Sequence, residues 1–213
     1  MERKPRRDAQ RNREALIEAA RGVFAEQGIN ASLEEIARRA DLGIATLYRH
    51  FPARTDLADA VLAEEIEARV TIGEEALAMS DPWDGFVHYL EATLVREAAN
   101  RAINDLMSMR LPRAVCTEDA RKRMYDLLVQ LVERAQRSGQ LRKDLTPEDL
   151  PFLTWANTRI VEATGSIAPN AWRRHLGLLL DGLRASAAHE LDQPPMSPRQ
   201  VYRAMITLGR HTR

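Results

Sequence analysis

Apolar side chains recur every three or four residues along most of this chain, with glycine and proline breaking the pattern at intervals. That is the helical period, and alternating β-branched runs are absent. The spacing predicts an all-α protein of about nine or ten helices. The first covers roughly Asp8 to Gln27, with Leu16, Ala20, Val23 and Phe24 on one face and Gly28 as its stop. The second begins at Ser32, where "SLEE" has the form of a capping box closed by Glu35. Its inward residues are Leu33, Ile36, Ala37 and Ala40. A turn at Asp41–Gly43 leads to a short third helix, Ile44 to His50. Pro52 ends it, because proline disfavours helical geometry in the residue before it.

A long fourth helix follows from about Arg54 to Met79, capped by Ala53 or Thr55, with Leu57, Val61, Leu62, Ile66 and Val70 as its stripe. Asp81-Pro82 restarts the chain as cap and first-turn proline for a fifth helix to about Ala98. Further helices are expected over Arg101–Met109, from Thr117 to Gly139, from Thr146 to about Thr164, and from Asn170 to about His189. After Pro194-Pro195, "SPRQ" at Ser197 opens a last one, with cap, proline and glutamine in the capping-box positions.

Helix, tight turn and short helix form the helix-turn-helix layout. Ile36, Ala37 and Ala40 pack against Leu42 and Leu47, with small Ala37 allowing close approach. If Leu47 and Phe51 point inward, the opposite face presents Ile44, Ala45, Thr46, Tyr48, Arg49 and His50. Such a cationic helix suits the DNA major groove. Arg49 can pair with guanine, and Ile44 and Ala45 can meet thymine methyls. Thr46 can bond a base edge or a phosphate, and Tyr48 and His50 can hold phosphates. Arg54 and the amino end of the second helix at Ser32 offer further phosphate contacts. Arg39 can reach a phosphate, although Arg38 and Arg39 also fit a solvated face.

Charge distribution agrees. The net charge is zero, but residues 1–54 hold 11 Lys+Arg against 8 Asp+Glu. The first thirteen residues carry Arg3, Lys4, Arg6, Arg7, Arg11 and Arg13, which suits an anionic partner or a solvated tail. No apolar segment follows that start, so a signal peptide is not expected. No run is long enough to span a membrane, and the one cysteine, Cys116, fits a reducing cytoplasm. No HExxH, GxSxG, P-loop or Rossmann glycine pattern is present, so an enzyme is not expected. The scattered histidines predict neither a metal nor a cofactor.

Ser32 to Leu57, "SLEEIARRADLGIATLYRHFPARTDL", resembles the DNA-binding domain of the TetR family of bacterial transcriptional regulators. Leu47, Tyr48, His50 and Phe51 carry the most specific part. The resemblance covers roughly residues 10–60. Asp41 stands where the family commonly has glycine, Gly43 where a Ser or Thr cap is usual, Ile44-Ala45 where Lys-Gly is frequent, and Arg54 where Lys is usual.

The resemblance implies a basic arm (1–7), a helix-turn-helix domain (8–53) and a helical regulatory and dimerisation domain (54–213). It also implies a homodimer on a palindromic double-stranded operator, released by a small-molecule effector. Phe86, Tyr89, Leu90, Met107, Met109, Met124, Tyr125, Phe152 and Trp155 lie on the helices that surround the family's cavity. Arg110 and Arg159 are then candidates for an anionic ligand group. Gly177 and Gly182 offer close backbone approach, which puts a dimer interface on Trp172, Leu176, Gly177, Leu179, Leu180 and Leu183. Two alternatives are a helical small-molecule binding protein with a vestigial helix-turn-helix, and a constitutive DNA binder without ligand response.

Overall fold

The structure, a computed structural model, describes residues 3–99 and 116–211. Among the described residues, helices are joined by turns and loops, and the β pairing is one isolated antiparallel bridge between Leu141 and Arg184. The expected helix over Arg101–Met109 falls outside them, as do Met107, Met109 and Arg110.

Helix α1 spans Arg3–Gln27, so it takes in most of the segment expected to be a free arm. Gly28, at φ 80°, ends it as the pattern predicts, and its N–H donates to the Phe24 carbonyl at 2.8 Å. α2 covers Leu33–Arg39 and α3 covers Ile44–His50. Between them Asp41 adopts φ 55°. The Leu42 N–H reaches the Ala37 carbonyl at 2.9 Å and the Asp41 N–H the Arg38 carbonyl at 3.1 Å. This is a complete Schellman closure with aspartate in the left-handed place usually held by glycine.

The cap on α2 forms only halfway. Ser32 accepts from the Glu35 N–H at 3.3 Å, but the Glu35 carboxylate turns to Arg38 and Arg39 instead of back to the cap.

α4 runs Arg54–Ala78 with Ala53 as its cap residue, whose N–H donates to the Asp56 carboxylate at 2.8 Å. α4 is buried on more than one face, and Asp59, Glu65 and Arg69 are buried along with its apolar side chains. It belongs to both hydrophobic cores. The first joins Leu16, Phe24, Ile36, Leu47 and Phe51 to Leu57, Leu62 and Ile66 of α4. The second starts at Val70 and includes Trp83, Phe86, Leu131 and Trp172. A single rigid rod therefore ties the helix-turn-helix to the body.

α5 is Pro82–Ala99, with Asp81 accepting from the Trp83 and Asp84 N–H groups at 2.8 and 3.0 Å. α6 is Cys116–Arg137. The helix expected from Thr146 starts as a single 3-10 turn, Pro147–Asp149, and continues as α7, Leu150–Thr164. α8 is Ala171–Leu183, shorter than the pattern predicts. It stops because residues 183–185 pair with the loop after α6. The Arg142 N–H meets the Leu183 carbonyl at 3.0 Å, and the Ala185 N–H meets the Gln140 carbonyl at 2.9 Å. Arg184 then lies over the Trp83 ring, 3.8 Å from its centroid. α9 spans Pro198–His211 with the predicted reciprocal box. The Ser197 N–H donates to Gln200 at 2.8 Å, and the Gln200 N–H donates to the Ser197 hydroxyl at 3.4 Å.

Candidate nucleic-acid interface and effector cavity

α3 is held from behind. Leu47 is fully buried, Phe51 nearly so, and Arg13 of α1 sits over the Phe51 ring at 5.2 Å. That fixes which side of α3 faces outward. Ala45, Tyr48 and Arg49, at i, i+3 and i+4, form one exposed stripe, with Tyr48 47% exposed. Thr46 is half-buried beside it. No ion pair ties Arg49 among the described residues. Ile44 is half-buried too, and it packs on the core, so less of it is offered outward than expected.

His50 sits less openly than its neighbours. It is half-buried against Phe51, with ring centroids 6.4 Å apart, and its Nε2 is enclosed without a partner. Burial holds its pKa below the ordinary value, and Arg49 and Arg13 push the same way. The neutral ring is therefore favoured, with Nε2 turned away from solvent.

Three further sequence candidates have internal partners. Arg39 pairs with Glu26 of α1 and with Glu35 at 2.9 Å, so its charge is spent bracing α2 on α1. Arg54 donates to the carbonyls of Ile29 and Ala31, in the loop leading into α2. The Ser32 hydroxyl donates to Glu34 at 2.7 Å. With Glu34 and Glu35 in its first turn, the amino end of α2 is lined by carboxylates that complement its dipole. These residues brace the helix-turn-helix from within the chain. Periodicity gives no hint of this, because long side chains choose partners that only the tertiary fold brings near.

A cavity of about 340 Å³ lies between α4, α5, α6, α7 and α9. Of the sequence candidates, Tyr89, Leu90, Met124, Tyr125 and Trp155 line it. Phe86 does not; it is core, with its ring 5.9 Å from that of Trp83. Phe152 is exposed and meets Trp155 edge-on at 5.6 Å. Arg159 is exposed and paired with Glu162 at 2.8 Å, away from the cavity. The wall includes residues that the stripe pattern passed over. Arg69 of α4 and Arg121 of α6 are both buried there, and Val201 and Met205 of α9 close one side. A charge placed between Ile66 and Val70 was the available signal for Arg69.

Several residues expected at a dimer interface face inward within this chain. Trp172, Leu176 and Leu183 are buried in this chain's own core, and Leu180 packs on it, with Leu179 half-buried. Gly177 is exposed, and a Cβ there would meet nothing within 4 Å, so it marks no close helix contact within the chain. The open face of α8 carries Gly177 and Leu178, the latter 62% exposed. Ile167, beyond α7, is 84% exposed.

Comparison with known proteins agrees with this architecture. Residues 16–61 match the family of bacterial regulatory proteins named for tetR, and residues 81–185 match the C-terminal domain of SbtR-like transcriptional regulators. A TetR transcription regulatory protein from Mycobacterium vanbaalenii is 30% identical, over 84% of this chain and 98% of that one, with a TM-score of 0.57. The chain belongs to the TetR family. A TetR regulator from Streptomyces coelicolor is similar to the same degree, 30% identical over 81% of this chain and 98% of that one, with a TM-score of 0.56. An HTH-type transcriptional regulator of Staphylococcus aureus (strain USA300) is 45% identical over 47 residues, 22% of this chain. That match spans a quarter of the curated relative's length. The TetR-family assignment accounts for the two cores: a helix-turn-helix on the first, and a separate helical C-terminal domain on the second.

No described helix is long and apolar enough to cross a membrane, and no group of three or more metal-ligating side chains occurs among the described residues.

Proposed function

We propose that this TetR-family protein is a homodimeric, cytoplasmic transcriptional repressor that covers a palindromic operator and leaves it when a small molecule enters the cavity. The observation that carries the reading is the outward stripe Ala45–Tyr48–Arg49. On α2 every arginine is neutralised by a carboxylate of its own chain, whereas Arg49 is left open. In this reading Arg49 donates to a guanine edge, Ala45 meets a thymine methyl, and Tyr48 holds a phosphate.

Coupling runs along α4. Arg69 lines the cavity, and one turn earlier Glu65 is ion-paired with Arg21 of α1 at 3.2 Å and accepts from Arg96 of α5 at 2.8 Å. A tilt of α4 at the cavity therefore moves α1, on which α2 and α3 are packed. Ligand acts only if it binds the tilted state more tightly than the DNA-bound one. Leu178 and Ile167 supply an apolar surface without a partner in the single chain, which supports pairing of two chains through the open faces of α7 and α8. Two readers then stand about 34–36 Å apart, one DNA turn.

Selection from random duplexes tests this. It should enrich an inverted repeat bound by two chains. Enrichment of nothing at low ionic strength, or of single half-sites by one chain, would reject the proposal.

A further inference from the structure

The cavity wall is mainly apolar, with Leu90, Leu94, Leu128, Trp155 and Met205 among its residues. Its charged residues lie at different depths. Glu118 and Lys122 are exposed, at the rim, whereas Arg69, Arg121 and Glu148 are buried. Of these three, Glu148 is already satisfied in part, since the Tyr125 hydroxyl donates to it at 2.7 Å. Arg121 also has a partner within the chain, and Glu97, behind Arg69, adds a second buried carboxylate, so what distinguishes the wall is unused hydrogen-bond capacity and not net charge.

Arg69 has donors left over for a guest. A guanidinium carries five N–H donors. Among the described residues one goes to Glu97, at 2.9 Å, and Nε has no acceptor. Glu97 does not line the cavity; it holds Arg69 from behind, itself almost wholly buried. Burial raises the pKa of Glu97, so its negative charge is held at a cost, and its Oε2 has no donor. The pair is thus incompletely satisfied on both sides, and an acceptor arriving from the cavity side would supply what Arg69 lacks.

We infer that the cavity receives an amphipathic organic anion, its acidic group at Arg69 and its apolar body along the Leu, Trp and Met wall. The inference rests on the effector-binding reading above and adds the chemical class of the effector. A cationic guest has a poorer host, because the one buried carboxylate in the wall already accepts from Tyr125. It also gives the coupling a handle. An anion drawing Arg69 toward the cavity acts on the helix turn that carries Glu65, and through Glu65 on Arg21.

Two fluorescent probes with the same ring body separate charge from apolarity. The first, 8-anilinonaphthalene-1-sulfonate, carries the anion, and the second, N-phenyl-1-naphthylamine, lacks it. In Arg69→Gln, the sulfonate's affinity should fall about tenfold or more, the loss of one charge-assisted contact, while the neutral probe's changes by less than about twofold. In Glu97→Gln, which frees Arg69 without adding bulk, the sulfonate should bind several-fold more tightly and the neutral probe as before.

Equal changes for both probes, or none for either, would overturn the assignment. So would weaker sulfonate binding in Glu97→Gln, which keeps the test decisive if Arg69→Gln does not fold. The selected duplex is titrated into the same preparations. Intact duplex binding without any anion preference rejects the ligand class alone, whereas absent duplex binding rejects the regulatory reading itself.

Discussion

Arg54, in the first turn of α4, donates to the Ile29 carbonyl at 3.2 Å and to the neighbouring Ala31 carbonyl. It clamps the loop that feeds α2, so an indirect contribution to DNA binding is expected. Losing a phosphate contact would lower the slope of log affinity against log salt by about 0.9. Arg54→Ala should instead lower Tm and weaken duplex binding at every salt concentration, with that slope unchanged. A salt titration alongside a thermal melt checks this, and a slope reduced by a full contact would return Arg54 to the interface.

Glu35 braces α2 through Arg38 and Arg39. Hydrogen bonds from those two arginines hold its carboxyl at about 2, below the ordinary 4.5. The folded form thus binds the proton less readily than the unfolded chain. The stabilisation is full above pH 4.5 and is lost as pH falls toward 2. Glu35→Gln should lower Tm at pH 7, and the gap from the parent should close between pH 4.5 and 2. Melts across that range decide it; a gap that stays constant with pH would show that the bracing does not depend on charge.

Gly85 lets α5 start tight against the end of α4. A methyl there would lie 2.4 Å from the Ala76 carbonyl oxygen, a backbone atom that cannot step aside. Arg134 further fixes that end by donating to the Leu77 carbonyl at 2.8 Å. Gly85→Ala should cost about 1–3 kcal/mol, the usual range for overpacking. Chemical denaturation measures it, and a neutral result would mean that the two helices are not in this register.

Trp172 and Leu178 lie six residues apart on α8 and separate folding from assembly. Trp172 is buried in the core, and truncating it to alanine should cost about 3–5 kcal/mol in unfolding. Leu178 faces outward, so Leu178→Glu should leave the helical content intact while shifting sedimentation from dimer to monomer. A Leu178→Glu protein that remains dimeric moves the interface elsewhere.

Local chemistry was legible in the sequence. The left-handed Asp41, the inward Leu47 and Phe51, and the reciprocal box of Ser197 and Gln200 all depend on residues within a few positions of one another. What escaped depends on distance in the chain. Arg39 found Glu26, Arg54 found Ile29, and α8 ended early because the loop at Gln140–Arg142 reached it. Each is a choice among partners that periodicity cannot rank. The same holds for the cavity. Tyr89, Met124 and Trp155 were expected near it from the family resemblance, whereas Arg69, a charge between Ile66 and Val70, was passed over on α4, a helix buried on more than one face.

The central claim is that the exposed stripe of α3 reads bases. Its most direct test is the ratio of affinities for the selected duplex and a scrambled one, measured for the parent, Tyr48→Phe and Arg49→Ala at one salt concentration. Arg49→Ala should narrow that ratio by about 1–3 kcal/mol, the discrimination of one bidentate contact, whereas Tyr48→Phe should weaken both duplexes alike. An unchanged ratio in Arg49→Ala would contradict the claim.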